Sequence, residues 1–313
     1  MSELYQTRFV YGEALAEAAE CYSEVVALDA DLYTSTRTVT VRERFPERFL
    51  DLGISEMDMV STAAGLAASG LVPFANSFAM FITAHCYDQI RIQICYPSLH
   101  VILAGSSGGL TQGPDGASHQ SLEDVALMRA LPSMTVLAPA DAIETRAMTL
   151  AAVRSIRGPV YLRLGRYPVP NVLPSGYTFE LGKATWLREG ANVALLAYGH
   201  MVWAALRAAD LLATQGVQAS VVNMSTIKPL DTTAVRRAAT ASLVVTVEEH
   251  SIVGGLGSAV AEVLAEMPVQ HARGRLLRLG TRDVFGESGL ADELLAKHGL
   301  TPEGISAAVL AAL

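Results

Sequence analysis

The sequence predicts an α/β protein of two doubly wound domains, and three observations predict it. Short apolar runs of strand length alternate with longer segments whose apolar residues recur at helical spacing, the pattern of a parallel sheet covered on both faces. The 313 residues exceed one ordinary core and suggest about two domains. The alternation stops once, across residues 165–182, where Pro168, Pro170 and Pro174 break any regular element, and then resumes.

In the first unit, residues 9–28 open with apolar positions at helical spacing and run into VVALDADL, a buried strand ending in polar residues. Further strands are expected at 49–52, 72–75, 100–104, 135–138 and 160–164, with helices at 57–69, 81–94, 121–130 and 142–154. The proline-rich break is the interdomain linker, which divides the chain into domains 1–170 and 185–313 joined through 171–184. In the second unit strands are expected at 192–198, 219–225, 243–248 and 274–279. Helices are expected there at 201–215, 232–240, 256–264 and 305–313.

Composition excludes several classes of protein. With 51% hydrophobic and 17% charged residues both units should be globular. A net charge of −8 and no Lys/Arg-rich run argue against a surface that neutralises nucleic-acid phosphates. The N-terminal MSELYQTRFVYGEALAEAAE mixes acids among its apolar residues, unlike a secretory signal, and no apolar run reaches membrane-spanning length. No membrane partner is therefore expected. Cys21, Cys86 and Cys95 are odd in number and form no CxxC pair, which favours a reduced, cytoplasmic protein over a disulfide framework or zinc site.

The candidate chemistry lies in loops beyond the expected strand ends, where parallel sheets gather ligands. Asp51 to Met59, DLGISEMDM, sets Glu56 just before an Ala/Gly-rich helix, where burial raises a carboxyl pKa and suits it to exchanging protons. The structural alternative is an acid satisfying free N–H groups at the helix start, as Ser55 and Asp58 can also do. Asp29, Asp31 and Ser35 follow the first strand. GSSGGLTQGPDGASHQ, with five glycines and one proline in sixteen residues, is too flexible for regular structure and too long for a turn. Its ionisable members are Asp115, also a good turn residue, and His119, which could equally cap the next helix. Phe78 and Phe81 open a helix where a flat ring could stack, although aromatic stripes are usually core, and His85 reads as structural or surface. Gly254-Gly255-Leu256-Gly257 superficially suggests a phosphate-binding turn but lacks GxGxxG spacing and the later acid. Glu248, Glu249 and His250 before it fit a functional group or a subunit contact.

Together DLGISEMDMVSTAAGLAASG, DGASHQSLEDVALMRALPSMTVLAPAD and GPVYLRLGR resemble one family over essentially the whole chain. The chain resembles the C-terminal half of thiamine-diphosphate-dependent transketolases, with a pyrimidine-binding domain followed by the transketolase C-terminal domain, and above all the separately encoded C-terminal subunit of split transketolases. The resemblance implies that Glu56 hydrogen-bonds the aminopyrimidine of thiamine diphosphate and promotes the tautomer that activates the thiazolium carbon, which then transfers a two-carbon ketol unit. It implies that Phe78 and Phe81 hold the pyrimidine and that Asp31 lies near the thiazolium. Arg8, Ser35 and Arg166 match the grip on the substrate's distal phosphate, His119 a catalytic histidine near the reacting carbonyl, and Asp115 an acid bonded to a sugar hydroxyl.

Two departures bear on substrate. Ser106-Ser107 stand where many transketolases have a substrate-facing histidine, and Pro114 stands where the family has an acid. Ser107 then becomes the substrate-binding candidate, and a deoxy, branched or sulfonated donor fits as well as the usual pentose phosphates. The family holds the diphosphate through Mg²⁺ with GDG and a later Asn, and this chain has no GDG. The resemblance therefore implies no metal ligand here, an N-terminal partner subunit that supplies them, and an α2β2 assembly without which this chain is inactive. Two further readings stay open: the β subunit of a 2-oxoacid dehydrogenase or a deoxyxylulose-phosphate synthase-like enzyme, which share a form of Tyr87-Asp88-Gln89-Ile90, and a non-catalytic α/β binding subunit.

Overall fold

The computed structural model describes residues 3–268 and 274–313. Its N-terminal unit starts with β1 (Leu4–Tyr5) and the alanine-rich α1 (Thr7–Cys21), then β2 (Val25–Asp29), buried at all five positions as a central parallel strand must be. Two short helices, α2 (Tyr33–Thr36) and α3 (Val39–Arg44), lead to β3 (Phe49–Asp51), α4 (Glu56–Ala68) and β4 (Val72–Phe78). The expected helix at 81–94 is irregular: π-helical segments Phe81–His85 and Ile90–Cys95 flank the short α5 (Tyr87–Gln89). Next come β5 (Ile102–Ser106), the 3-10 segment Leu110–Asp115, α6 (Asp124–Ala130), β6 (Thr135–Leu137), α7 (Ala142–Arg154), β7 (Val160–Arg163) and β8 (Val169–Pro170).

The C-terminal unit runs β9 (Thr185–Arg188), β10 (Val193–Ala197), α8 (Met201–Thr214), β11 (Ala219–Asn223), β12 (Thr226–Lys228), α9 (Thr232–Ala238) and β13 (Leu243–Ser251). It ends with α10 (Leu256–Ala265), β14 (Arg275–Thr281), α11 (Ala291–Lys297) and α12 (Pro302–Ala312).

Two mixed sheets result. The larger has the order β12-β6-β7-β5-β4-β2-β3, and its six N-terminal strands pair in parallel. Val25, Ala27, Phe74 and Ile102 face a core beneath α1 and α7, while Leu28, Ala75 and Leu103 face α4 and Ile82 on the other side. The smaller sheet is β14-β13-β10-β11-β9.

The alternation predicts purely parallel sheets, but each sheet carries one antiparallel edge strand, β12 and β9, both too short for their alternation to register in the sequence. β12 also crosses between the units, since it belongs to the C-terminal half and pairs with β6. The expected break at 165–182 contains β8, which pairs with β1, Leu4 opposite Pro170 and Tyr5 opposite Val169. A two-stranded edge tolerates the missing proline donor.

Buried carboxylates lock the junction between the units. Asp141 Oδ2 accepts the N–H groups of Val172 and Leu173, each at 2.8 Å. Glu144 accepts from Tyr177, Asn223 and Ser225. Burial raises the Glu144 pKa, and these donors offset part of that rise.

Candidate active site

The carboxyl ends of β2, β3, β4, β5 and β7 lie along one edge of the larger sheet. Glu56 begins α4 there and is buried. Ser55 makes no capping bond, and Glu56 is not engaged with the helix's own N–H groups; its Oε1 accepts from Ser77 Oγ at 3.1 Å. Among the described residues Oε2 has no donor. The neighbouring Cys86 thiol is pushed up to about 12, by burial first and the Glu56 charge second.

Ser77 precedes Phe78, the last residue of β4, and Phe81 opens the following π-helical segment. Their ring centroids are 6.1 Å apart. His119 meets both rings edge-on, 5.1 Å from Phe81 and 6.1 Å from Phe78, with Nδ1 2.9 Å from Ser118 Oγ. It does not cap the next helix. An apolar shelf beside a buried carboxylate with one oxygen to spare suits a flat heteroaromatic ring that presents a hydrogen-bonding nitrogen.

Asp31 sits at the same edge, exposed and in the left-handed region at φ 60°, with its N–H bonded to Asp51. Asp29, expected in the loop, instead ends β2 fully buried and accepts from Leu32 N at 2.6 Å, Thr36 Oγ1 at 2.7 Å and Thr38 Oγ1 at 2.8 Å. Burial outweighs these donors and raises its pKa to about 6.

A second group gathers cations. Arg8 donates to the Ser35 carbonyl at 3.2 Å and to Gln6 Oε1 at 2.9 Å. Its pKa is lowered by burial, then by the charges of Arg166 and Arg37. Arg166 donates to Gln112 Oε1 at 3.3 Å and Asp115 Oδ2 at 3.4 Å, and Gln112 bonds Asp115 at 2.6 Å. The structure thus brings Arg8, Ser35, Asp115 and Arg166 together and adds Gln112 and Arg37, which sequence reasoning passes over. Both lie within two or three residues of a candidate, yet no spacing rule marks them.

The glycine-rich loop joins the two groups, carrying Asp115 to Arg166 and His119 to the aromatic shelf. It is not irregular as expected, because Leu110–Asp115 coils into 3-10 turns. Gly109, at φ 93°, packs on Glu249, where a Cβ would lie 2.3 Å from the carboxyl carbon, and the Thr111 N–H bonds the same carboxylate. Ser107 is fully buried with an unpartnered hydroxyl, so it is not gathered onto the open edge with His119.

Glu248, Glu249 and His250 are buried and do not form a surface contact. Glu248 accepts from Leu256 N and Gly257 N, both at 2.8 Å, so an internal carboxylate occupies the helix start that resembles a phosphate turn in sequence. Burial raises Glu249 to about 7 against the pull of Arg163, and His200, 3.2 Å away, is lowered to about 3 by burial and then by Arg163. His85 is exposed. All three cysteines are free. Among the described residues no group of three or more His, Cys, Asp or Glu side chains could hold a metal ion, and no helix is long and apolar enough to cross a membrane.

Residues 4–171 match the pyrimidine-binding domain of transketolase, and residues 182–305 match the transketolase C-terminal domain. The chain belongs to the transketolase family. It is 43% identical over 305 residues to the 6-deoxy-6-sulfo-D-fructose transketolase subunit SqwH of Clostridium sp. (strain MSTE9), across 97% of this chain and 93% of that one. It is 37% identical over 297 residues to an apulose-4-phosphate transketolase subunit of Phocaeicola vulgatus, across 94% of this chain and 93% of that one. A solved split-gene transketolase, described as an inactive beta4 tetramer, superposes with a TM-score of 0.89 at 46% identity over 98% of each chain. These relatives favour a transketolase-type transferase over the dehydrogenase, synthase and non-catalytic readings. Transketolases imply thiamine diphosphate, and the free Glu56 oxygen beside Phe78 and Phe81 fits its aminopyrimidine ring.

Proposed function

We propose that this chain is the C-terminal subunit of a two-chain transketolase that moves a two-carbon ketol unit from a ketose with a terminal oxyanion to an aldose. The observation that carries this reading is the pairing of a buried carboxylate, open at one oxygen, with an aromatic shelf on one side of the glycine-rich loop and an arginine cluster on the other. Phe78 and Phe81 would hold the cofactor's pyrimidine, Glu56 would share a proton with a ring nitrogen, and Asp31 would face the thiazolium. When bound, thiamine diphosphate supplies the electron sink for the two-carbon fragment.

The remaining roles belong to this chain's side chains. His119, on the loop between the two groups, moves a proton at the substrate's reacting oxygen. Arg8 and Arg166, with Ser35, fix the far end of the substrate through charge-assisted hydrogen bonds, which sets the carbonyl at a constant distance from the shelf. Asp115, held by Gln112, accepts from a sugar hydroxyl.

Mg²⁺ and the groups that ligate it would come from an N-terminal partner subunit in an α2β2 assembly, operating in the cytoplasm. The family's division of labour and the beta4 description of the split-gene relative support this view. The substrate named for SqwH supports testing a sulfonated ketose beside phosphorylated ones.

The test combines this chain with a companion chain carrying the diphosphate-binding half, thiamine diphosphate and Mg²⁺. Two-carbon transfer from xylulose 5-phosphate, fructose 6-phosphate or 6-deoxy-6-sulfofructose should require both chains. Decarboxylation of pyruvate in place of transfer would overturn the proposal.

A further inference from the structure

The most heavily constrained residue near the arginine cluster is Arg37. It ends α2 in the left-handed region, φ 71° and ψ 15°. A non-glycine residue held there is strained and persists only where its surroundings determine it. Here they do. The hydroxyls of its two neighbours, Thr36 and Thr38, both donate to Asp29 Oδ2, and its backbone rests on Gly12 of α1, where an added Cβ would stand 2.5 Å from the Arg37 carbonyl oxygen. Helix, turn and buried carboxylate together clamp the base of this side chain.

The side chain is aimed as firmly. The Arg37 guanidinium carbon lies 4.3 Å from the centroid of the Phe9 ring, and the Arg8 guanidinium carbon lies 5.1 Å from the same centroid. One aromatic platform therefore carries two cations. Arg166 is close enough for its charge, with that of Arg37, to help lower the Arg8 pKa. Among the described residues the Arg37 side chain has no hydrogen-bond or carboxylate partner, Arg8 has no carboxylate, and the only carboxylate on Arg166 is exposed Asp115 at 3.4 Å. Three like charges gathered with so little neutralisation repel one another unless an anion sits among them.

We propose that Arg37 is a third arm of the anion subsite, touching the terminal group of the ketose directly and selecting a phosphate dianion over a sulfonate monoanion or an uncharged terminus. The proposal rests on the transketolase reading above. Phosphate and sulfonate present the same three terminal oxygens to a guanidinium fork, so shape alone does not separate them. Charge does: the third cation gains more from the dianion.

The experiment compares wild type with R37Q and R37K in the complex reconstituted with its companion chain, cofactor and Mg²⁺. R37Q should raise KM for fructose 6-phosphate by about 10-fold to 100-fold, the loss of one charge-assisted contact, with kcat nearly unchanged. The rise should be smaller for 6-deoxy-6-sulfofructose and absent for unphosphorylated fructose, and R37K should recover part of it. Inorganic phosphate, titrated calorimetrically, should bind R37Q more weakly than wild type. An equal rise in KM for all three ketoses, or unchanged KM and unchanged phosphate binding, overturns the assignment; the latter is also what a partner carboxylate seated on Arg37 would give. Failure of the wild-type complex to transfer a two-carbon unit would instead overturn the transketolase reading, while phosphate titration still reports on Arg37.

Discussion

Replacing Glu249 with glutamine should make the chain less sensitive to alkaline pH, by an amount the structure allows to be worked out. Glu249 is buried against the glycine-rich loop, and its pKa rises from 4.5 to about 7 because desolvation outweighs the attraction of Arg163 and the bond from Thr111. A carboxyl whose pKa is higher folded than unfolded stabilises the fold below its unfolded pKa and loses that contribution as pH rises through its folded pKa. The full loss is about 3 kcal/mol at 1.36 kcal/mol per pKa unit, most of it between roughly pH 5 and pH 8. Glutamine keeps an oxygen for the Thr111 N–H and cannot ionise. Urea unfolding of this chain at about pH 5 and pH 8 should therefore show wild type losing roughly 2–3 kcal/mol relative to E249Q. A difference that stays flat with pH, or grows in the opposite direction, would rule out desolvation of Glu249 as the cause.

Asp29→Ala removes the acceptor shared by two buried threonine hydroxyls and the Leu32 N–H, leaving Thr36 only the longer 3.2 Å bond to the Leu32 carbonyl and the 3.2 Å contact with Thr38, so it should lower stability by about 3 kcal/mol near neutral pH, read as a fall in Tm. Gly109→Ala combines φ 93° with a Cβ placed 2.3 Å from the Glu249 carboxyl carbon, and should destabilise the chain by about 2 kcal/mol or more. Because the displaced loop carries Asp115 and His119, the same substitution should raise KM for the ketose in the assembled enzyme; normal stability and normal KM together would contradict the packing described for this turn.

The parts of the fold legible from sequence are those with enough residues to show a period. β2 and β10 are continuous apolar runs, and α7 is bounded where its spacing ends. β9 and β12 are too short, and their antiparallel pairing depends on partners far along the chain. Local pattern also misleads in LVVTVEEHS, because charged residues after an apolar run look like a strand leaving the core, whereas Glu248 and Glu249 go inward to bond N–H groups of α10 and of the loop.

The candidate site divides in the same way. Residue type and position mark Glu56, Phe78, Phe81 and His119, since acids and aromatics at strand ends have few structural duties there, whereas Arg8 and Arg166 are marked by the family resemblance alone. What decides Glu56 is the hydroxyl of Ser77, 21 residues away, which takes one carboxylate oxygen and leaves the other free. Arg37 looks like any surface arginine in the sequence, and only the Asp29 clamp and the shared Phe9 ring distinguish it. Ser107 is a candidate only by correspondence with a family position, and its buried hydroxyl sets it apart from the open edge.

Glu56 matters most of all, because it is the group that would offer a proton-sharing oxygen to a cofactor brought by a second chain. The direct measurement is single-turnover and steady-state two-carbon transfer by the complex reconstituted with E56Q, beside wild type, with cofactor binding measured separately. A loss of about 100-fold to 10,000-fold in kcat is expected, while the two chains still assemble and still take up thiamine diphosphate. Turnover within a few-fold of wild type, with assembly and cofactor uptake intact, would contradict this role for Glu56.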